Sequence, residues 1–522
     1  MSIDLAHRDR QNVRGLTAAT VLALAMLADA HVVRGGPDRG PEISEETASE
    51  FCRRNGAVFE DWPRPAAVLV LTGELDGYIE PCGCSGKENQ KGGLSRRHNL
   101  LIALEQAGWP TVALDLGNQV RRYGRQSEVK FQSVADGLRT MGYAVAGFGP
   151  FDVRLPVEEL IAAAASIGDA PSPFVSANVG LLGLDSGITS RVRRVEAGGV
   201  RFGVTTVLAC VEATRIHNDS IDILDPDKAL TLASKELDAL DCDHRVLLSW
   251  ATPDETLALA EKHPSFKLVV SAGAADEPPM NPHGFGDGRL LIELGHKGMY
   301  AVVVGLFDDP ATPIRTQRVP LDARWGEYAD MIRLLGAYQR KLESLGLSGL
   351  GLIPGAARHP SGRRFAGSEG CAECHAHAYE IWRDTPHASA LTTLEEQVPG
   401  RSHDPECLSC HVVGWAPQRV EPFDVGFVDT TETPHLAHNG CENCHGPAAA
   451  HAAVERGEVK VADAARDRLR QDLAMSLSSP EEKEKVISNC LECHDLDNSP
   501  HFDFGTYWPM VEHSEPEKIE KD

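Results

Sequence analysis

Four times in its last third the chain repeats one spacing, Cys-x-x-Cys-His. The copies are Cys371-Ala-Glu-Cys374-His375, Cys407-Leu-Ser-Cys410-His411, Cys441-Glu-Asn-Cys444-His445 and Cys490-Leu-Glu-Cys493-His494. Two thiols one helical turn apart are placed to add to the two vinyl groups of one porphyrin. The imidazole of the next residue then lies under the ring and binds iron. At this Cys and His usage, chance produces on the order of one hundredth of such a motif in the whole chain. Paired zinc ribbons would use Cys-x-x-Cys but do not require His after every second Cys. The expectation is four covalently bound haem c groups, with His375, His411, His445 and His494 as proximal ligands.

Each iron has a second axial position. Beyond the motifs the tail offers His377, His387, His403, His435, His438, His451, His501 and His513, plus Met475 and Met510. There are more candidates than vacancies, and spacing alone does not assign them.

The elements that must carry these groups differ along the chain. Eight of 13 Cys and twelve of 21 His follow residue 366. Before it, strand-like runs (68–73, 111–117, 144–149, 174–179, 204–209, 246–250, 268–273 and 301–307) alternate with helical patterns such as 93–108, 130–142 and 156–167. Such alternation predicts an α/β domain with a layered core. Residues 325–345 read as a charged helix and 347–367 as a Gly-rich linker. The tail predicts a mainly α, loop-rich domain in which porphyrins form much of the core. The expected organisation is 1–30 signal peptide, 31–64 N-terminal segment, 65–325 α/β domain, 326–366 helix and linker, and 367–522 haem domain.

The signal reading rests on Arg8, Arg10 and Arg14 ahead of an apolar run from Gly15 to Ala28 and the small-x-small stretch Ala28-Asp29-Ala30. The run is shorter than a spanning helix needs, and no other stretch is long and apolar enough to cross a bilayer. A periplasmic or otherwise exported protein, soluble or peripherally membrane-associated, is expected, with no transmembrane span after cleavage. The 522 residues carry 51 Lys and Arg against 76 Asp and Glu, a formal charge of −25. That balance disfavours nucleic acid and suggests redox protein partners with basic surfaces.

The tail also resembles a family. Gly367-Ser-Glu-Gly-Cys-Ala-Glu-Cys-His, then Trp382-Arg-Asp-Thr-Pro-His387, is similar to the tetrahaem electron-carrier cytochromes c of nitrifier hydroxylamine oxidation. Cys407-Leu-Ser-Cys-His-Val-Val-Gly-Trp, Gly440-Cys-Glu-Asn-Cys-His-Gly-Pro and the segment from Phe502 to His513 continue the likeness. The resemblance implies three bis-histidine haems and one open haem. Carried across by position, it sets His387 distal to the third haem (His445), His451 to the first (His375) and His513 to the fourth (His494). His501 is a rival to His513, and the haem of His411 is the open one.

In the first domain, Leu71-Thr-Gly-Glu-Leu-Asp-Gly, Gly92-Gly-Leu-Ser-Arg-Arg97, Leu114-Asp-Leu-Gly-Asn118 and Gly147-Phe-Gly-Pro-Phe-Asp152 resemble calcineurin-like metallophosphoesterases of the 5′-nucleotidase branch. The implied fold is a layered α/β/β/α domain. Its metal ligands are largely missing. Glu74 and Asp76 stand for an Asp and a His, Asn118 for the bridging Asp, and Phe148 and Gly149 for an Asn-His pair. Leu248-Ser-Trp250 and Ser271-Ala-Gly-Ala-Ala275 stand where later His residues belong. The domain reads as a degenerate member used as scaffold or docking surface, since two-metal hydrolysis needs those groups. Cys82 and Cys84 form a Cys-x-Cys pair that thiol or metal chemistry could use. With Cys52, Cys210 and Cys242 they make five non-haem cysteines. The run 284–288 reads as a hairpin turn, and Arg121, Arg122, Arg125 and Lys130 as a solvated face.

Three functions follow. The first is a periplasmic electron carrier rather than an enzyme. The second is a haem-based oxidoreductase acting on a small nitrogen or sulfur compound at the haem of His411. The third is a metallophosphoesterase with a haem accessory domain.

Overall fold

The computed structural model describes residues 53–81, 90–166, 171–210, 216, 218 and 220–513. The expected signal peptide, Cys52, and the Cys82-Gly-Cys84 motif lie outside the described residues. The described chain divides into two compact units, one ending at Leu335 and one beginning at Gly336.

Among the described residues the first unit has thirteen strands. In chain order they are β1 Ala67–Thr72, β2 Thr111–Asp115, β3 Val145–Ala146, β4 Val179–Leu181, β5 Arg193–Ala197, β6 Val200–Leu208, β7 Ile221–Ile223, β8 His244–Trp250, β9 Leu268–Ser271, β10 His283–Phe285, β11 Arg289–Glu293, β12 Tyr300–Leu306 and β13 Ile314–Pro320. One sheet has the order β13-β12-β1-β2-β3 and the other β10-β11-β9-β8-β6-β5, while β4 and β7 form a separate pair. β1, β2 and β3 run parallel, as do β6, β8, β9 and β11.

Side-chain alternation assigns the layers. In β1, Ala67, Leu69 and Leu71 join Val204, Val246 and Leu248 in a core between the sheets. The intervening Val68 and Val70 pack outward against Leu100, Leu104 and Leu138. Leu247 and Val269 face the opposite way, toward Leu230, Ala233 and Leu237. A strand buried on both faces reads as an unbroken apolar run, which is why β1 and β12 are so plain in the sequence. The result is four layers, helix–sheet–sheet–helix.

The outer helices are α1 Leu94–Gln106, α2 Arg125–Thr140, α3 Val157–Ala164, α4 Pro226–Asp238 and α5 Pro253–Lys262. The last two start at strong signals. Asp225 caps the Lys228 N–H ahead of Pro226, and Thr252 with Glu255 forms a reciprocal capping box ahead of Pro253.

Some expectations needed correcting. The strand expected over 174–179 begins only at Val179, with Phe174 and Val175 making isolated bridges. There the Asn178 side chain both donates to the Leu208 carbonyl and accepts its N–H, replacing a ladder. The strand expected over 144–149 stops at Ala146, because Gly147 passes so close to Leu116 that a Cβ would lie 2.4 Å from its carbonyl oxygen. The hairpin turn expected over 284–288 is shorter: Gly284 and Phe285 belong to β10, and residues 286–288 make the turn that joins it antiparallel to β11. Lys130 is buried rather than on a solvated face, while Arg125 pairs with Glu128 and Glu159.

The second unit is helical and loop-rich, with one small ribbon pairing Trp415–Ala416 with Glu421–Pro422. The stretch expected as a linker is partly core, since Leu347, Leu352, Ile353 and Phe365 pack with Leu408, Val412 and Trp415. Among the described residues, that core holds only nine buried apolar side chains. A unit of this length with so little apolar core depends on other apolar mass for cohesion.

Candidate haem centre and a second cluster in the α/β unit

Each Cys-x-x-Cys-His motif forms a single helical turn. His375 N–H bonds the Cys371 carbonyl at 2.9 Å, and His494 N–H bonds that of Cys490 at 2.9 Å. The second and third motifs end the helices Pro405–His411 and Cys441–His445. A turn brings the two thiols and the imidazole of each motif to one side, as one porphyrin requires.

Hydrogen bonds set the ring orientation. His411 Nδ1 donates to the Ala390 carbonyl at 2.6 Å and His445 Nδ1 to that of Leu473 at 2.7 Å, while His494 Nδ1 lies 3.1 Å from Ser499 Oγ. A proton fixed on Nδ1 leaves the Nε2 lone pair for a metal.

Three of the motif imidazoles face another histidine. Ring centres of His375 and His451 are 6.3 Å apart, those of His494 and His387 6.0 Å, and those of His445 and His513 5.8 Å. Two imidazoles that each bind one iron at about 2 Å have ring centres roughly 6 Å apart. The spacing therefore fits one iron between each pair. Haem fits these residues on three counts: paired thiols on a turn, facing imidazoles at one-metal separation, and a thin apolar core.

The pairing differs from the one the resemblance implied. His387 faces His494 rather than His445, and His513 faces His445 rather than His494. The third and fourth motifs adjoin, with Cys444 interacting with both Cys490 and Cys493. Either distal histidine thus has both sites within reach, and order along the chain does not choose between them. His501 is exposed and makes no ring contact among the described residues, while Phe502 stacks on His494 at 4.7 Å.

Thiols of different motifs also meet. Cys371 hydrogen bonds Cys441, and Cys410 hydrogen bonds Cys493. In each pair the hydrogen bond is the leading cause, raising the thiols of Cys371 and Cys493 and lowering those of Cys441 and Cys410. Burial pushes the His387 imidazole down to about 4, helped by His494 and His411. Glu442, inside the third motif, is buried and accepts the N–H groups of Ala366, Gly367 and Ala448, tying the entry strand to the motif.

Two other tail histidines make contacts of different kinds, one with the backbone and one with a carboxylate. His438 has a left-handed backbone, and its Nδ1 accepts the Leu391 N–H at 3.2 Å. His403 is exposed, 3.8 Å from Glu343.

In the α/β unit, the positions that resembled metal motifs gather at the carboxyl ends of β1 and β2. Asp115 accepts from Thr72 Oγ1 at 2.6 Å, Gln119 Nε2 at 2.6 Å and Arg97 Nη1 at 3.1 Å, all buried. Asp152 accepts the N–H groups of Asn118, Gln119, Val120 and Gly149 at 2.7–3.3 Å. Glu74 Oε1 accepts the Gly273 N–H at 2.9 Å, and its other oxygen bonds His296 Nδ1. Asp76 Oδ1 accepts from Asn118 Nδ2 at 2.7 Å. Burial, then repulsion from Glu74, pushes the Asp76 carboxyl up to about 6, and the Glu74 bond raises His296. His296 was missed in the sequence because it lies on the turn after β11, outside every matching motif.

The two-metal pattern does not fit. A Cβ on Gly149 would stand 2.4 Å from that of Asn118, so the loop has closed over the place of the missing histidine. No hydrolytic step is derived from these residues.

Asp152 gives a pH prediction. Burial outweighs its four N–H donors and pushes its carboxyl up to about 7. The unfolded carboxyl titrates near 4, so between about pH 4 and 7 the folded state holds a proton that the unfolded state releases. Stability present below about pH 4 is thus lost as pH rises to 7, by about 3 kcal/mol for this group. Chemical denaturation at pH 5 and pH 7.5 is expected to show the loss in the wild type and much less of it in Asp152→Asn.

Facing imidazoles, Nδ1 anchors and paired thiols are the features that a multihaem c-type cytochrome domain requires. Residues 370–446, holding the first three motifs, match the family model described as cytochrome c554 and c-prime. A 96-residue stretch is 31% identical to cytochrome c-554 of Nitrosomonas europaea, covering 16% of this chain and 38% of that protein. The chain thus spans well under half the length of this curated relative. Among solved structures, it is similar to the Thermus thermophilus sulfate thiohydrolase SoxB (TM-score 0.44, 16% identity, covering 54% of this chain and 62% of that one). It is also similar to a 5′-nucleotidase precursor from Thermus thermophilus (TM-score 0.44, 18% identity, covering 60% and 67%). The layered fold is read from the sheets themselves.

Proposed function

We propose that this chain is an exported, periplasmic electron carrier that holds four haem c groups covalently through Cys371 and Cys374, Cys407 and Cys410, Cys441 and Cys444, and Cys490 and Cys493. The observation that carries this reading is the set of three imidazole pairs with ring centres 5.8–6.3 Å apart, the separation that two imidazoles sharing one iron require. The bound haem supplies one-electron chemistry at its iron. His375 with His451, His445 with His513, and His494 with His387 would hold three of the irons between them and would thereby keep substrates away. His411 is the proximal ligand of the remaining group.

Thiol contacts support an order for the conduit. The Cys371–Cys441 hydrogen bond joins the first motif to the third, the electrostatic interaction of Cys444 with Cys490 and Cys493 links the third to the fourth, and the Cys410–Cys493 hydrogen bond joins the fourth to the second. The order is therefore first, third, fourth, second, with the first and second at the ends. Redox proteins with basic surfaces are the partners that suit a chain of charge −25. Among the described residues, no helix is long and apolar enough to cross a membrane.

One observation favours a second reading, an oxidoreductase acting on a small nitrogen or sulfur compound at the haem of His411. His438 and His411 bond the same Ala390–Leu391 turn. Because His438 Nδ1 accepts a hydrogen bond, its proton sits on Nε2, where it is available as a donor. Electron paramagnetic resonance of the ferric holoprotein separates the two. Entirely low-spin signals support the carrier, and a high-spin component of about one iron in four supports the enzyme.

A further inference from the structure

Among the described residues, one group of His, Cys, Asp and Glu side chains converges as a metal site would. The donor atoms of Glu74, Asp76 and His296 all lie within 4.8 Å of one another. We propose that these three residues bind a single divalent ion of the manganese, iron or zinc class, with a ligand set different from the two-metal pattern that the α/β unit resembles.

The fold, not local sequence, assembles the group. Glu74 and Asp76 follow β1, while His296 follows β11 of the other sheet, so the site bridges the two layers. Both carboxylates are held from behind. Gly273 N–H fixes one oxygen of Glu74, and the Asn118 amide fixes one oxygen of Asp76. Outer hydrogen bonds of this kind aim the ligands of a metal. Glu74 is buried, and Asp76 and His296 are half-buried.

Charge points the same way. Two carboxylates surround one imidazole, with Arg121 the cation that acts on Asp76 and the Lys297 ammonium engaged 3.0 Å away with Asp276. A divalent ion removes the repulsion between Glu74 and Asp76. Binding through Nδ1 requires the proton of the His296–Glu74 hydrogen bond to leave it, moving to Nε2 in a neutral ring or to solvent when the ring carries both protons, which frees the Nδ1 lone pair and the carboxylate oxygen together. One imidazole with two carboxylates suits borderline to hard divalent ions rather than copper(I) or other thiolate-seeking metals. The closed loop at Asn118 and Gly149 leaves one ion, not two. The site is independent of the haem function.

The test is a manganese(II) titration of the haem-loaded full-length protein, following the six-line resonance of the free ion, which is distinct from the ferric haem signals. The expected result is one manganese bound per chain, displaced by zinc(II). Affinity should fall at least about tenfold in His296→Ala and in Asp76→Asn. Asp76→Asn preserves side-chain size, and unchanged unfolding midpoints in both variants separate loss of ligand from loss of fold. Absence of a manganese site in the wild type, or equal binding in wild type and both variants, overturns the proposal.

Discussion

Replacing His387 with alanine is expected to turn one haem iron in four from low-spin to high-spin, and the iron affected is the one held by His494. The two rings stand 6.0 Å apart, with His387 supplied from the segment just after the first motif. Loss of the imidazole leaves an axial position that no other histidine in ring contact with His494 fills, since its remaining ring neighbours among the described residues are Phe502 and Tyr507. The position of the change is the sharper part of the prediction. With Cys441 and Cys444 as serines, which removes the third haem, His387→Ala still generates the new high-spin signal. With Cys490 and Cys493 as serines, it adds none. The opposite pattern would restore the pairing that position in the chain implies.

Removing the fourth haem through Cys490→Ser and Cys493→Ser is expected to have the largest functional effect. Haem content falls by about one quarter, but the conduit fails altogether between its ends. Cys493 hydrogen bonds Cys410, and Cys444 interacts electrostatically with Cys490, so the fourth motif is the proposed junction between the second and the rest. Rapid-mixing reduction would then show the haem of His411 equilibrating far more slowly than the other two. The matching removal of the first haem, through Cys371→Ser and Cys374→Ser, shortens the conduit and leaves the remaining three in contact. Equal slowing in both variants would contradict the proposed order.

These effects also mark how far the sequence can be read. The haem motifs are legible because thiol spacing and the adjacent imidazole are local: one helical turn, five residues, one chemistry. β1, β8 and β12 are legible because burial on both faces writes an unbroken apolar run. β5, β11 and β13 are not, since Arg193–Ala197, Arg289–Glu293 and Ile314–Pro320 mix charged and apolar residues. The facing of His387 with His494 and of His513 with His445 was hidden for a different reason. The third and fourth motifs lie side by side, so which of His387 and His513 reaches which iron depends on packing. His296 was hidden too, because its partners Glu74 and Asp76 are more than two hundred residues away. Residues 347–367 looked like a linker because glycines dominate, yet Leu347, Leu352 and Phe365 carry part of the second unit's core.

The measurement that bears most directly on the central claim is the intact mass and metal content of the protein matured in a bacterial periplasm. Four thioether-bound haems per chain, four iron atoms and no zinc on the eight motif cysteines are the predicted result. Fewer than four added porphyrin masses, or zinc held by the Cys-x-x-Cys pairs in place of haem, would contradict the reading of this chain as a four-haem electron carrier.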